Sequence, residues 1–473
     1  MTMTTAGPTT SIPAARPASR WLLPVVLLGN MLNTADVMIV NGALPTVSRA
    51  LHAGPAALEL VVAGYLVAYA CLLVVGGRLG DMYGRRRLFV TGMAGFTLMS
   101  AACGLAPTAG VLIAARIAQG ATAALMVPQV LATIQIAYTG RARQRALGIF
   151  GAGLAIAAAV GLILGGVIVS ADIAGLSWRP AFLINVPIGI AGVIVARRVV
   201  PDSRADRPAP IDARGAALLG LTIVALLVPL SLGRDEGWPW WCWAVLAGAP
   251  VAGVAFAAAQ RRSARGGGTP LLPPALLRAT GMRRGLLLAL ALFPGYAGLL
   301  FATPVTLQAG LGASALTSSL TLVPYAVAFL IGSLLTRRLF ARYDRSVMVA
   351  GALVLALANG VLAVQAAAGY SGLTPLTLAP ALMVVGVAQS LVAVPLFGVV
   401  LSEVPAEQAG LASGVLVTTQ QIALSLGVAG IGTLFFTLAA DHGYGAATVT
   451  VEVAQAALAL AAAAVACALP HPR

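Results

Sequence analysis

Asp36 and Arg116 are the residues with the most chemistry to offer, because each lies inside a long apolar stretch. A charge at the centre of a membrane-spanning helix costs about 2.5 to 3.5 kcal/mol on insertion scales, so it needs a partner or a purpose. A carboxyl held where water is scarce can take up and return one proton as its surroundings change, which makes Asp36 a candidate proton carrier. Arg116 keeps its charge and can tune a nearby carboxyl or polarise water. The blander reading is a buried structural pair. Glu59, near the outer end of the second apolar run, is a third candidate and equally suits a headgroup position. On this reading two charges, Asp36 and Arg116, stand at membrane depth.

Polar and aromatic residues within other apolar runs could line a cavity. Tyr65 and Tyr69 are four apart and share one helical face; Asn41, Gln119, Tyr296 and Gln389 join them as cavity candidates. An aromatic, sparsely polar cavity suits amphipathic organic molecules. The three histidines, His52, His442 and His471, share no constellation, so an enzyme within the membrane is the weakest reading. The four cysteines lack metal-ligand spacing, and no metal, disulfide or cofactor is expected. With no lysine in the chain there is no phosphate-binding P-loop, and transport would draw on an ion gradient.

The elements that must hold these residues follow from composition. Of 473 residues, 59% are hydrophobic and 9% charged, against about 25% charged in a soluble domain. Runs of roughly twenty apolar residues predict about fourteen transmembrane helices. They are placed at Trp21–Pro45, Leu58–Gly77, Leu88–Leu105, Gly110–Ile136, Ala146–Ser170, Ala181–Ala196, Ala216–Leu232, Trp240–Ala259, Gly285–Leu307, Ala313–Leu335, Val347–Ala368, Leu376–Leu401, Gly410–Leu438 and Ala454–Leu469. With the N-terminus in the cytoplasm, 25 of the 29 arginines fall on the cytoplasmic side and three on the other, with Arg116 inside a span. That asymmetry predicts a multi-pass protein of the cell membrane with both termini cytoplasmic. It also accounts for the net charge of +15 without nucleic acid, since no soluble domain presents a basic patch. The Trp238, Trp240, Trp241 and Trp243 cluster reads as an interfacial anchor. Residues 1–20, polar and Thr/Pro-rich, read as a cytoplasmic tail rather than a signal peptide.

The spans divide into six-helix bundles at 21–199 and 285–469, a linker at 200–215, two additional helices at 216–259 and a cytoplasmic loop at 260–284. Ile117-Ala118-Gln119-Gly120 is echoed by Val387-Ala388-Gln389-Ser390, as expected of related halves with a site between them.

The string Gly77-Arg78-Leu79-Gly80-Asp81-Met82-Tyr83-Gly84-Arg85-Arg86-Arg87 combines glycines, which allow tight reversal and close helix approach, with one acid among arginines. That acid can pair with an arginine or with a helix N-terminus. The string resembles the cytoplasmic loop signature of the major facilitator superfamily. Asp36 to Pro45 resembles the first-helix signature of its fourteen-helix drug:proton antiporter branch. Arg116 to Gly120 is similar to the superfamily's fourth-helix arginine motif, and Trp178 to Pro187 to the branch's sixth-helix start. The resemblance implies an all-α membrane fold of two six-helix bundles with two extra central helices. It also makes Gly77, Asp81, Gly84, Arg85 and Arg86 a gating loop. In the fifth span Gly161, Gly165 and Gly166 stand where the antiporter-type motif would be, although Gly161-Leu162 replaces its Gly-Pro; a small-residue stripe also suits plain helix packing.

The function so implied is export of small amphipathic organic compounds, drugs or antibiotics, by proton antiport and alternating access. Its partners are substrate, protons and lipid, and such families are usually monomeric. Proton-coupled uptake is the alternative that the altered fifth-helix pattern leaves open. Some relatives that expel divalent organic cations carry further intramembrane acids. The lack of an acid in the thirteenth span therefore points to neutral, anionic or monocationic substrates.

Overall fold

In lipid only a helix satisfies its own backbone within one segment, so long apolar runs become helices. The structure, a computed structural model, describes residues 19–53, 55–171, 175–204, 212–233, 236–405 and 408–469, and no strand occurs among them. The long helices are α1 (Leu22–Leu51), α2 (Pro55–Tyr83), α3 (Arg85–Gly104), α4 (Ala109–Ala137), α5 (Gly140–Ala171), α6 (Pro180–Val199), α7 (Ala213–Leu232), α8 (Trp240–Arg265) and α9 (Thr280–Gly310). They continue as α10 (315–343, broken at Leu322), α11 (Arg345–Gly369), α12 (Pro375–Leu401), and a run Ala409–Cys467 that Gly443, at φ 82°, divides into α13 (409–442) and α14 (444–467). A left-handed glycine is the residue expected at such a break.

The helices pack in two sets. In the first, α1 lies on α5, α2 on α4, and α3 on both α4 and α6. In the second, α10 lies on α12, α11 on α12 and α14, and α9 on α13 and α14. The sets echo each other in detail. A methyl built on Gly120 of α4 would sit 3.1 Å from the Tyr65 carbonyl carbon of α2, and one on Gly386 of α12 would sit 3.1 Å from the Tyr325 carbonyl carbon of α10. Tyr65 stacks on Tyr69, and Tyr325 contacts Phe329, at the same four-residue spacing.

Between the sets, α2 meets α13 and α5 meets α10 and α12. The seam has direct contacts along the arginine-rich ends of these helices. Phe150 packs edge-on to Phe397 at 5.3 Å, Gly151 approaches Val394, and Gln135 Nε2 donates to the Leu401 carbonyl at 2.8 Å. The central pair α7 and α8 pack together, and α7 also covers the α2–α13 seam through Ile223 and Leu227 against Ala70.

Polar residues start helices where the sequence supplies caps. Thr108 accepts from Val111 N–H, and Thr374 forms a capping box with Thr377. Asp212 caps α7 by accepting from Gly215 N–H at 2.8 Å and also accepts from Gln260 Nε2 at 2.8 Å. Burial pushes the Asp212 carboxyl up, but bonds from Gly215, Gln260 and Leu271 outweigh it, and its pKa lies below the ordinary carboxylate value. Trp240 and Trp243, at the start of α8, are largely exposed, and Trp243 packs on Trp238, as expected of an interfacial anchor.

Candidate functional site: a buried carboxylate–guanidinium cluster

Asp36 stands midway along α1 and is 0% exposed; Arg116 on α4 is 1% exposed. The guanidinium Nη1 donates to Asp36 Oδ2 at 2.6 Å and to Gln119 Oε1 at 2.7 Å, while Nε donates to the Val61 carbonyl at 3.1 Å. Its plane lies over the Tyr65 ring at 4.1 Å. The second carboxylate oxygen, Asp36 Oδ1, accepts from Gln119 Nε2 at 3.1 Å and Asn185 Nδ2 at 2.8 Å. Asn185 also donates to Ser100 Oγ at 3.0 Å, which in turn donates to the Phe182 carbonyl. Tyr65 O–H donates to Asn33 Oδ1. The carboxylate thus joins α1 to α4 and α6, and through Arg116 and Asn185 the cluster reaches α2 and α3.

The arrangement follows from local sequence. Arg116 and Gln119 are three apart and share a face of α4. Gly120 lets α2 approach α4 closely enough for the Val61 carbonyl and Tyr65 ring to reach the guanidinium. Gly161 and Gly165 do the same for α1: methyls there would lie 2.8 Å from the Ala35 carbonyl oxygen and 2.9 Å from that of Ile39. The small stripe of α5 therefore seats Ala35 and Ile39, one residue before and three residues after Asp36.

A second cluster lies at the arginine-rich end. The expected loop between the second and third spans shrinks to Gly84 alone, because α2 runs on through Arg78 and Asp81 to Tyr83 and α3 starts at Arg85. The extension is stable because Asp81 and Arg85 bond each other at 2.5 Å while buried. Gly84 adopts φ 98°, which favours glycine. Asp81 also accepts from the Leu411 N–H at 3.3 Å, so it faces the N-terminus of α13 in the other helix set. A methyl on Gly77 would overlap the Gly410 carbonyl. Arg86 pairs with Asp202 at 3.0 Å on the surface, and Arg85 N–H donates to the Ser203 carbonyl.

The cavity candidates separate. Tyr65 and Gln119 belong to the charged cluster, with Tyr69 stacked beside it. Tyr296 and Gln389 meet elsewhere, in a recess of the second helix set with Asn359 and Gln455. Asn41 lies on α1, Glu59 on α2 and Gly166 on α5, and their surroundings are outside what the structure describes. Asn33, Ser100 and Asn185 complete the first cluster and are not among the residues the sequence singles out. Asn185 stood inside the Trp178–Pro187 motif, and its place in an apolar run was the available signal.

Two expectations are corrected. The last helix begins at residue 444, not at Ala454, because Thr448, Glu452 and Gln455 face inward and helix formation does not require them to be apolar. Glu452 is consequently a third charged-type residue at membrane depth, 5% exposed, where two were expected. Glu452 adds an intramembrane acid on α14, outside the thirteenth span.

The Major Facilitator Superfamily profile matches residues 26–428. The chain is 38% identical over 424 residues to the probable actinorhodin transporter of Streptomyces coelicolor, covering 89% of this chain and 73% of that one. It is 30% identical to the tetracenomycin C resistance and export protein of Streptomyces glaucescens, covering 89% and 76%, and 32% identical to the puromycin resistance protein of Streptomyces alboniger, covering 90% and 84%. Among solved structures, the human organic anion transporter MFSD10 superposes with a TM-score of 0.68 at 16% identity, covering 95% of this chain and 100% of that one, a likeness of fold. Profile, relatives and fold agree with the paired helix sets and the buried arginine cluster: the chain belongs to the Major Facilitator Superfamily.

Proposed function

We propose that this protein exports small amphipathic organic compounds of the antibiotic kind across the cell membrane, driven by protons entering through Asp36. The observation that carries the reading is the Asp36 carboxylate, wholly buried at mid-helix and held by Arg116, Gln119 and Asn185. Export by relatives such as the tetracenomycin C protein supports the direction. Protonation of Asp36 removes the anion that Arg116 pairs with, so the cluster gains a net positive charge and α1 loses part of its tie to α4. A proton entering down 100 mV supplies about 2.3 kcal/mol, enough for an outward ratio of about forty for a neutral compound.

The arginine asymmetry supports a cytoplasmic placement of the Asp81 end and of both termini. Six-helix halves at 21–199 and 285–469, joined by the linker, the central pair and the long loop, would rock about the site. In this arrangement the halves touch at the Asp81 end, and Asp81, Gly77, Gly84, Arg85 and Arg86 act as a latch that holds it shut.

The test is accumulation of an amphipathic fluorescent compound in cells expressing the protein. Accumulation below that of control cells, reversed by a protonophore, is expected. Export that persists once the proton gradient has collapsed would contradict proton coupling.

A further inference from the structure

The second helix set repeats the amide framework of the first but, among the described residues, without its ion pair. Gln389 and Gln455 stand 270 positions after Gln119 and Asn185, the two amides that hold Asp36. Here the amides meet Asn359 and Tyr296 in a recess. Gln455 Nε2 and Asn359 Oδ1 are buried with no hydrogen-bond partner. One helical turn before Gln455 on α14 is Glu452, buried, its Oε2 without a partner and no salt bridge reaching it among the described residues. It lines a second recess with Thr303, Thr306 and Thr448, the last two bonded to each other at 3.0 Å.

Depth places Glu452 well away from the arginine belt. It is fifteen residues from Cys467, about 22 Å along a helix, and nine from the break at Gly443. Arg345 and Arg284 are fixed to the far end by the Cys467, Ala468 and Leu469 carbonyls. On the helices packed against α14, the remaining titratable or charged groups are Tyr296 and Arg283 on α9, while Tyr370 and Tyr444 stand towards the break. Asp441 and His442 close α13. Among the described residues no cation is bonded to Glu452, and a buried carboxylate without one is sustained only by becoming neutral.

We propose that Glu452 is a second proton-binding site, in the C-terminal half, that holds a proton in this arrangement and returns it to water when its recess opens. The step is a proton transfer: an O–H bond forms at a glutamate oxygen as one breaks in hydronium, with no redox change. The site rests on the proton-coupled reading for its use in transport, but its proton occupancy is independent of that reading.

Two measurements on the full chain in liposomes decide it. Infrared difference spectra across pH, taken in an Asp36→Asn background, should show a titrating carboxylic-acid C=O band that Glu452→Gln removes and Glu452→Asp shifts. A band unchanged in Glu452→Gln, or a carboxylate ionised throughout, overturns the proposal. A response to sodium in place of protons also overturns it. With Asp36 intact, the reversal potential should give two protons per substrate in wild type and one in Glu452→Gln. At 100 mV this lowers the attainable gradient by about forty-fold, from roughly 1,600-fold. Equal stoichiometry in the two proteins overturns the role in transport. Absence of any proton coupling in wild type would instead refute the antiport reading, with the infrared band still deciding Glu452. Should Glu452→Gln fail to fold, Glu452→Asp carries the test, because its band must titrate and shift.

Discussion

Gly77→Ala should open the arginine-rich end of the protein. The added methyl would overlap the Gly410 carbonyl oxygen, lie 2.7 Å from its carbon and 3.2 Å from Leu411 N. Ordinary contact begins at 3.4 Å, so α2 and α13 must part by about 0.7 Å at the carbon alone, and the opposing atoms are backbone that cannot rotate away. Overpacking of this kind costs about 1 to 3 kcal/mol. The cost falls only on the state in which the two halves touch, so the equilibrium moves by about 5- to 150-fold toward separation. The neighbouring Gly80→Ala serves as control. Its methyl meets the Gln129 side chain of α4, in the same half, and displaces the bond from Gln129 Nε2 to the Gly76 carbonyl. That loss, about 0.5 to 1.5 kcal/mol, is common to both states. The assay is pulsed electron–electron resonance between spin labels at Tyr83 and Ser402, both exposed, in a background without the native cysteines. Gly77→Ala should raise the long-distance population and Gly80→Ala should lower thermal stability without doing so. Equal distance distributions in wild type and Gly77→Ala would refute the reasoning.

Arg116→Gln should destabilise the protein by about 3 to 5 kcal/mol, read as a lower midpoint of thermal unfolding in detergent, because it leaves Asp36 buried without its cation. The double variant with Asp36→Asn should recover much of that loss, and additivity of the two changes would show that they are not a pair. Gly165→Val should cut substrate-driven proton flux at least about tenfold while the protein still inserts, since its side chain displaces the Ile39 backbone and with it Asp36. Gly153→Val, which meets only the Met31 side chain at 3.6 Å, should be tolerated; equal effects of the two would remove the seating role of the stripe.

The helices and the arginine asymmetry were legible because the bilayer imposes both: apolar length gives the spans, and arginines mark one side. What hydropathy hid is where helices continue past their apolar stretch. Arg78 and Asp81 extend α2 because Asp81 finds Arg85 and the α13 N-terminus, a tertiary contact that no local pattern contains. Thr448 and Glu452 fall outside the last apolar run, and only the fold shows that they face the bundle. The Asp36 and Arg116 pairing was legible as a possibility, since lone charges in lipid need partners. Asn33, Ser100 and Asn185 were not, because a single amide or hydroxyl in an apolar run costs little enough to occur without purpose.

The central claim, that Asp36 exchanges its proton against substrate, is tested most directly in liposomes holding the protein, a pH-sensitive dye and an acidic interior. Adding a transported compound outside wild-type vesicles should make the interior more alkaline as protons leave in exchange, and Asp36→Asn vesicles should show no such change while retaining folded protein. Substrate-driven alkalinisation of equal size in Asp36→Asn would contradict the account.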